Sequence, residues 1–236
     1  MNEAIHLSSK FDEDLERLRS NVLQMGGLVE SQISSITKAY ANNSSVNVLS
    51  VIENDREVNA MEKAIDDDCV HIIAQRQPTA SDLRLIMGIS KMVTDLERSG
   101  DEIKKMAKSI RRIQSADTSS HNELAVLKGA TDIRNLSKAA TTQLRRALDT
   151  FARLDAVEAA AVIAADEELD AEFKGIVRKL ITYMMEDPRA ITTALDVMVI
   201  SRAIERVGDH AKNIAEQVIY IAEGRDVRHT KGDTAS

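Results

Sequence analysis

The sequence has little of what most non-helical folds require. Among its 236 residues there is no Trp, and there are only three Phe, three Tyr, two Pro and nine Gly. A core built from Leu, Ile, Val, Ala and Met, with so few turn-forming residues, favours long α-helices. The single cysteine, Cys69, excludes an internal disulfide and is typical of a reducing compartment.

Long apolar runs are also missing. The longest, residues 159–165, has seven residues, whereas about 20 are needed to cross a bilayer. The chain does not start with basic residues followed by an apolar run, so we expect no signal peptide. A formal net charge of -7 disfavours nucleic acid or anionic lipid as the main partner. We therefore expect a cytoplasmic protein that does not insert directly into a membrane.

Apolar residues spaced three and four apart predict six long helices. The first stripe consists of Phe11, Leu15, Leu18, Val22, Met25, Val29, Ile36 and Tyr40. Within it, we interpret Gly26 and Gly27 as points of tight helix packing. The first helix is expected over residues 5–41, the second is capped by Ser44 or Ser45 and is broken by Pro78, and the third is capped by Thr79 or Ser81. The others are expected over 123–152, 155–185 and 189–223. The polar residues 114–122 are expected to be a linker.

The second half repeats the first. At a constant offset of 111, Tyr40 matches Phe151 and Asp55 matches Asp166; beyond Pro78 and its counterpart Pro188, the offset becomes 108. The words "ERSGD" at 97–101 and "ERVGD" at 205–209 then coincide. An internal duplication follows. It predicts an all-α fold of two tandem antiparallel three-helix bundles, with domains at 1–113 and 123–224, a linker at 114–122 and a polar tail at 225–236.

Each repeated word places two carboxylates side by side, because residues four apart on a helix are neighbours. The pairs are Glu97 with Asp101 and Glu205 with Asp209. The preceding helix of each unit adds Asp55 in the first half, and Asp166 with Asp170 in the second. We expect all of these groups to lie near the interhelical seams.

Carboxylates near a seam need compensation, and two kinds remain open. A hard cation such as Mg²⁺, Mn²⁺, Ca²⁺ or iron could join oxygen ligands from facing helices. Alternatively, an ion-pair network could form with Arg98, Arg206 or another arginine. The glycine in each word slightly favours a ligand, because it clears space beside the carboxylates at a cost in helix propensity.

Nothing in the sequence proposes an enzyme. There is no glycine-rich phosphate loop, no zinc-ligand spacing, and no Glu with a His three residues later in the repeated words, as a di-iron bundle would have. Two alternatives to a regulatory protein nevertheless remain: a carboxylate-bundle metal enzyme or metal store, and a purely structural helical dimerisation scaffold.

Several segments together resemble the PhoU family of phosphate-transport regulators over nearly the whole chain. They are Met25–Glu30, RQPTASDLR at 76–84, DLERSGD at 95–101, YMMEDP at 183–188 and IERVGDHAKNIAE at 204–216. The resemblance implies two three-helix bundles side by side. It also implies multinuclear metal clusters on the bundle surface, held through an E(D)xxxD signature.

Carried over by position, that signature falls on Glu97 and Asp101, on Glu205 and Asp209, and on Asp166 and Asp170. Asp55 also matches, but Asn59, Ser99 and Glu102 depart from the family pattern, which points to a first site that is weaker or that needs extra ligands from a partner. The resemblance further implies a non-enzymatic adaptor between the ATPase subunit of the phosphate ABC transporter and the phosphate sensor histidine kinase. A homodimer is expected, associated with the membrane only through its partners.

Overall fold

This computed structural model describes residues 2–42, 44–115 and 120–228, and their fold is all-α. Six long α-helices account for nearly all of these residues, and none of the described residues is in a strand. The helices are α1 (Asn2–Asn42), α2 (Ser45–Arg76), α3 (Ala80–Ser115), α4 (Ser120–Arg153), α5 (Ala156–Glu186) and α6 (Ile191–Glu223). A short 3-10 turn, Pro188–Ala190, precedes α6.

Local chemistry explains several helix ends. Asp155 caps α5, where its side chain accepts a hydrogen bond from the backbone N–H of Glu158 at 3.0 Å. α6 ends at Gly224, whose φ of 70° is the left-handed conformation that glycine adopts at little cost. α3 begins at Ala80, directly after Thr79, which is one of its two predicted N-caps. The Thr79 hydroxyl donates a hydrogen bond to the Asp82 carboxylate.

The two predicted three-helix bundles are confirmed: α1, α2 and α3 pack together, and so do α4, α5 and α6. The bundles join mainly through α3 and α6, with a further contact between α1 and α4. Residues near the start of α3 contact the end of α6, because Gly88 lies against Ile221, whereas Arg112 near the end of α3 pairs with Asp196. The two joining helices are therefore antiparallel.

This antiparallel packing gives the molecule an approximate two-fold symmetry. Glu102 of α3 pairs with Arg206 of α6, and Asp95 pairs with His210, so Gly100 and Gly208 lie at nearly the same level. A two-fold axis that exchanges two adjacent antiparallel helices runs perpendicular to the plane that contains them. The two repeated glycine words therefore flank this axis at the centre of the molecule.

The interpretation of Gly26 and Gly27 as points of tight helix packing is correct for Gly26 only. A Cβ on Gly26 would lie 2.4 Å from Leu148 Cδ1, so α1 and α4 approach closely there. The prediction is wrong for Gly27, which is exposed and would have no neighbour within 4 Å of a Cβ. Adjacent helical residues point about 100° apart, so a single packed face accommodates only one of the two.

The predicted linker overlaps regular structure at both ends. α3 continues to Ser115 and α4 begins at Ser120, while residues 116–119 lie outside the described residues. The domain boundaries at 113 and 123 remain predictions. Among the described helices, none is long and apolar enough to cross a membrane.

Candidate metal centres: two carboxylate seams

The first carboxylate seam lies between α2 and α3 and comprises Asp55, Glu97, Asp101 and Lys104. Asp55 is only 5% exposed, and its Oδ2 accepts a hydrogen bond from Lys104 Nζ at 2.5 Å. The same ammonium donates to Asp101 Oδ1 at 3.0 Å. Because Lys104 follows Asp101 by three residues, one turn of α3 supplies both an acid and its counter-charge. The lysine thus bridges the two helices.

The second carboxylate seam lies between α5 and α6 and comprises Asp166, Asp170, Glu205, Asp209 and Lys212. Lys212 Nζ donates to Asp166 Oδ2 at 2.9 Å, which repeats the Lys104–Asp55 bridge of the first seam. The remaining ion pairs join Asp170 to Lys174 at 3.0 Å and Glu205 Oε1 to Arg202 at 2.8 Å.

The first seam holds carboxyl groups whose negative charge is only partly compensated. Burial, followed by the nearby Asp101 and Asp55 carboxylates, raises the pKa of Glu97 above its ordinary value. Burial and the proximity of Glu97 also raise the pKa of Glu62, which is half-buried one helix away. Lys104 therefore does not neutralise the seam completely.

The second seam also contains carboxyl groups with raised pKa values, and it has one more acid than the first seam. Burial and then Asp209 raise the pKa of Glu205, and a hydrogen bond between the Glu205 and Asp170 carboxyl groups raises it further. Burial and then Asp166 raise the pKa of Asp209. Two carboxyl groups at hydrogen-bonding distance need a proton or a cation between them.

Sequence reasoning missed four side chains that complete these seams: Gln32, Gln143, Lys104 and Lys212. The two glutamines come from the first helix of each bundle and differ by the same offset of 111 that relates the other matches. Gln143 Nε2 donates to Asp166 Oδ1 at 3.4 Å, and Gln32 Oε1 lies 3.9 Å from the Cβ position of Gly100. The lysines differ by 108. Extending the alignment to every polar residue would have shown that all four positions repeat, although not that these side chains contact the acids.

The structure brings every predicted acid to a seam. Asp55 lies with Glu97 and Asp101, whereas Asp166 and Asp170 lie with Glu205 and Asp209, as the pKa effects between them show. The alternative of an arginine network is right for Glu205, which pairs with Arg202. It is wrong for Asp55 and Asp166, whose counter-charges are lysines. Arg206 bonds Glu102 across the bundle interface instead.

The acids of both seams supply the oxygen ligands that a hard cation prefers, but they are not arranged as a metal site in this structure. Asp55 Oδ1 and Glu205 Oε2 are buried, and no donor among the described residues forms a hydrogen bond to either oxygen. Yet no three Asp, Glu, His or Cys side chains within the described part of the chain already converge as a metal-binding group. Because Lys104 bridges Asp55 and Asp101, and Lys212 bonds Asp166, a cation bound by these acids would compete with an ammonium group.

The glycine of each repeated word affects its seam differently. A Cβ on Gly208 would lie 2.1 Å from Leu169 Cδ2, so α5 and α6 need this glycine to pack as they do. A Cβ on Gly100 would make only ordinary contacts, including one of 3.7 Å to Asp55 Oδ1. The close approach therefore explains the second glycine, whereas the first leaves room next to the buried acceptor.

Fold and seams together define an all-helical protein with a duplicated three-helix unit and a carboxylate–lysine seam in each copy. The profile of the PhoU domain matches this chain twice, over residues 22–110 and 133–218. The chain belongs to the PhoU family. The predicted family and its fold are therefore confirmed.

Curated relatives match along nearly the full length. The phosphate-specific transport system accessory protein PhoU homolog of Pseudomonas aeruginosa is 46% identical over 224 residues, covering 95% of this chain and 90% of the relative. The phosphate-specific transport system accessory protein PhoU of Escherichia coli is 44% identical over 228 residues, covering 97% and 91%.

Solved structures agree with the fold. The crystal structure of PhoU from Pseudomonas aeruginosa superimposes with a TM-score of 0.83 at 43% identity, covering 91% of this chain and all of the other. The phosphate transport system regulatory protein PhoU from Streptococcus pneumoniae gives a TM-score of 0.81 at 25% identity, covering 92% and 99%.

Proposed function

We propose that this chain is a non-enzymatic regulator of phosphate homeostasis. In this role it links the ATPase subunit of the phosphate ABC transporter to the phosphate sensor histidine kinase. When phosphate is plentiful, it keeps the kinase from activating starvation genes and restrains uptake. The support is membership of the PhoU family and the names of its relatives, which are phosphate transport accessory and regulatory proteins. The proposed place of action is the cytoplasm, with membrane association only through partners.

The proposal also includes cation binding at the two carboxylate seams. The observation that carries it is the pair of buried, unsatisfied carboxylate oxygens, Asp55 Oδ1 and Glu205 Oε2, one in each seam. A hard cation such as Mg²⁺, Mn²⁺, Ca²⁺ or iron prefers such oxygen ligands. The ligands would be Asp55, Glu97 and Asp101 in one seam and Asp166, Asp170, Glu205 and Asp209 in the other. A bound cation would supply positive charge and join neighbouring helices.

A second candidate is a purely structural role for the seams. The lysine bridges from Lys104 to Asp55 and from Lys212 to Asp166 favour it, because they already neutralise one acid in each seam. The structural candidate and the cation candidate predict different responses to added metal, and the regulatory role survives either outcome.

Deletion of the gene in its native host tests the regulatory role. With a reporter of a phosphate-starvation gene, we expect the deletion to express the reporter at high phosphate, where the parent strain represses it. Reintroducing the intact gene should restore repression. Continued repression without the gene would contradict the adaptor proposal, whatever the seams bind.

The double variant Glu205→Gln, Asp209→Asn tests cation binding without removing side-chain volume. We expect the second seam to bind Mg²⁺ or Mn²⁺ at least tenfold more weakly, measured by titration calorimetry on the full chain. The exposed Glu53→Gln provides a control that removes a carboxylate outside both seams and should bind like the parent. Equal binding by the double variant and the parent would contradict a cation site in this seam.

Comparing how the stability of the parent and of the same double variant depends on pH checks the folding of the variant. The folded-state pKa values of Glu205 and Asp209 are raised, so these groups stabilise the fold only at low pH, and this contribution is lost as the pH rises through those values. We therefore expect the parent, without metal, to lose Tm relative to the variant between the ordinary carboxyl range and pH 7. A variant with a lower Tm at pH 7 would instead indicate that the carboxylates stabilise the fold.

A further inference from the structure

Exposed apolar side chains concentrate at one end of the α5–α6 hairpin. Of the ten exposed large hydrophobic residues in the described part of the chain, five lie within residues 181–199. We name these five the α5–α6 patch: Ile181, Met185, Ile191, Leu195 and Val199, with exposed fractions between 40% and 81%. Single exposed hydrophobics need no explanation. Half of them within one short segment indicate a surface that another molecule covers.

Three residues of the patch form a row along α6. Ile191, Leu195 and Val199 follow one another at steps of four residues, so they lie on one side of the helix. The row is about 12 Å long at 1.5 Å per residue. Arg202 continues it, and the guanidinium carbon of this arginine lies 4.5 Å from the centre of the Phe173 ring on α5. This side of α6 therefore borders α5.

α5 brings a fourth residue next to this row. The Asp170 and Glu205 carboxyl groups form a hydrogen bond between α5 and α6, which sets the register of these two antiparallel helices. Three turns from this contact toward the hairpin turn lie Ile181 on α5 and Leu195 on α6, because three turns take about eleven residues. Ile181 and Leu195 are therefore neighbours across the hairpin, and Met185 lies one turn beyond Ile181. The five residues form one apolar strip.

Arginine side chains surround the α5–α6 patch, and each is paired with an acid that is less exposed. The arginine side chains are 54–70% exposed, whereas those of their acids are 8–28% exposed. The pairs are Arg112 with Asp196, Arg189 with Asp187 and Arg202 with Glu205. Lys108, one turn before Arg112, is also exposed, and Glu186 is an exposed acid at the hairpin turn. The charge that a partner meets around the patch is therefore mainly positive, although the whole chain carries a net charge of -7.

The first repeat lacks the complete patch. At the offset of 108, Val199 corresponds to Lys91, and at the offset of 111, Met185 corresponds to Ala74. Lys91 interrupts the equivalent row on α3, and its ammonium group lies 5.6 Å from the centre of the Tyr220 ring. The uninterrupted apolar row is thus a feature of the second repeat, and the fold that both repeats share does not require it.

We propose that the α5–α6 patch binds an amphipathic helix of a partner protein, with Asp and Glu residues on both sides of the apolar stripe of that helix. An apolar row whose side chains recur at each turn accepts a helix whose own apolar residues recur at three and four. The acids of the partner then meet the arginines around the patch, which gives the contact its specificity. The proposal rests on the regulatory role proposed above, because that role supplies the two partners, the sensor kinase and the ATPase subunit.

Binding assays with the purified full chain test this surface. The cytoplasmic part of the sensor kinase and the ATPase subunit are immobilised in turn, and binding is measured by biolayer interferometry. Leu195→Glu should weaken binding to at least one of them by about tenfold or more, because it places a carboxylate within the apolar strip and near the acids of the partner. Leu49→Glu is the matched control, since Leu49 is 51% exposed but lies outside the patch, and it should bind like the parent. Circular dichroism should show equal helicity in both variants.

The charge around the patch has a separate test. Arg189→Ala should weaken the same binding about threefold and make it less sensitive to salt. Arg189→Lys keeps the positive charge and should bind like the parent. Equal binding by Arg189→Ala and the parent would overturn the acidic stripe edges of the proposed helix.

The outcomes separate the surface from the regulatory role. If the parent binds neither protein, the adaptor role is contradicted, and the docking proposal with it. If the parent binds and Leu195→Glu binds equally well, the patch is not the docking surface, although the adaptor role stands. Vesicles that contain phosphatidylglycerol, and sedimentation equilibrium of the protein alone, test the other occupants. Loss of vesicle binding or of self-association in Leu195→Glu, with partner binding unchanged, would overturn the proposal and assign the patch to a membrane or to a second copy.

Discussion

Replacing Lys104 by Met is expected to lower the free energy of unfolding by about 2–4 kcal/mol, because breaking a buried ion pair leaves one charge uncompensated. Asp55, its partner, is only 5% exposed, and its Oδ1 already has no hydrogen-bond donor among the described residues. Met preserves most of the side-chain volume, so packing loss is small. Urea unfolding at pH 7 followed by circular dichroism measures the change. The exposed Lys108→Met is the control and should change stability by less than about 0.5 kcal/mol.

The same substitution separates the two interpretations of the seams. If a cation competes with the ammonium group for the carboxylates, Lys104→Met and Lys212→Met should both show a larger rise in Tm with added Mg²⁺ or Mn²⁺ than the parent does, because ligand binding to the folded state stabilises it. A purely structural seam predicts the loss of stability without any rescue by metal. No change in stability in either variant would contradict the lysine bridges themselves.

Replacing Asp95 by Ala is expected to weaken the contact between the bundles, at a cost of about 2–4 kcal/mol, since a hydrogen-bonded charged group at a buried site is lost. Asp95 Oδ1 lies 2.9 Å from His210 Nδ1 and accepts a hydrogen bond from Asn213 Nδ2 at 3.0 Å. All of these contacts run from α3 to α6. Alanine therefore leaves two polar groups of α6 without their acceptor.

The matched variant Asp95→Asn retains one carbonyl oxygen and should cost less than Asp95→Ala. Urea unfolding measures the free energies, and hydrogen exchange should show faster exchange of amides along α3 and α6 in the Ala variant. Equal stability of the parent and both variants would show that the contacts of Asp95 do not help to join the bundles.

The periodicity of the sequence predicted the six helices closely, because each helix buries a stripe of aliphatic residues spaced three and four apart. The first helix, for example, was expected over residues 5–41 and runs over Asn2–Asn42. The offsets of 111 and 108 likewise predicted the pairing of bundles, since a duplicated unit keeps its own core. The acids of both seams were predicted for the same reason: Asp55 and Asp166 interrupt apolar stripes where only a compensated charge is tolerated.

The sequence alone could not determine what faces these acids, because charge partners on other helices depend on tertiary packing. In the sequence, Lys104 and Lys212 resemble ordinary surface lysines. Only the packing of the helices brings them into contact with Asp55 and Asp166. The same limit applies to Gly26 and Gly27. The sequence does not distinguish these two glycines, yet only Gly26 packs against a neighbouring helix.

Helical content, the duplication and the acidic pairs were thus determined by the sequence, through patterns that repeat within a helix turn or between the two halves. The antiparallel packing of α3 and α6, with the two-fold axis near Gly100 and Gly208, was decided only by the tertiary structure. It brings together side chains 115 and 118 residues apart, and no local pattern specifies which helix of one bundle meets which helix of the other.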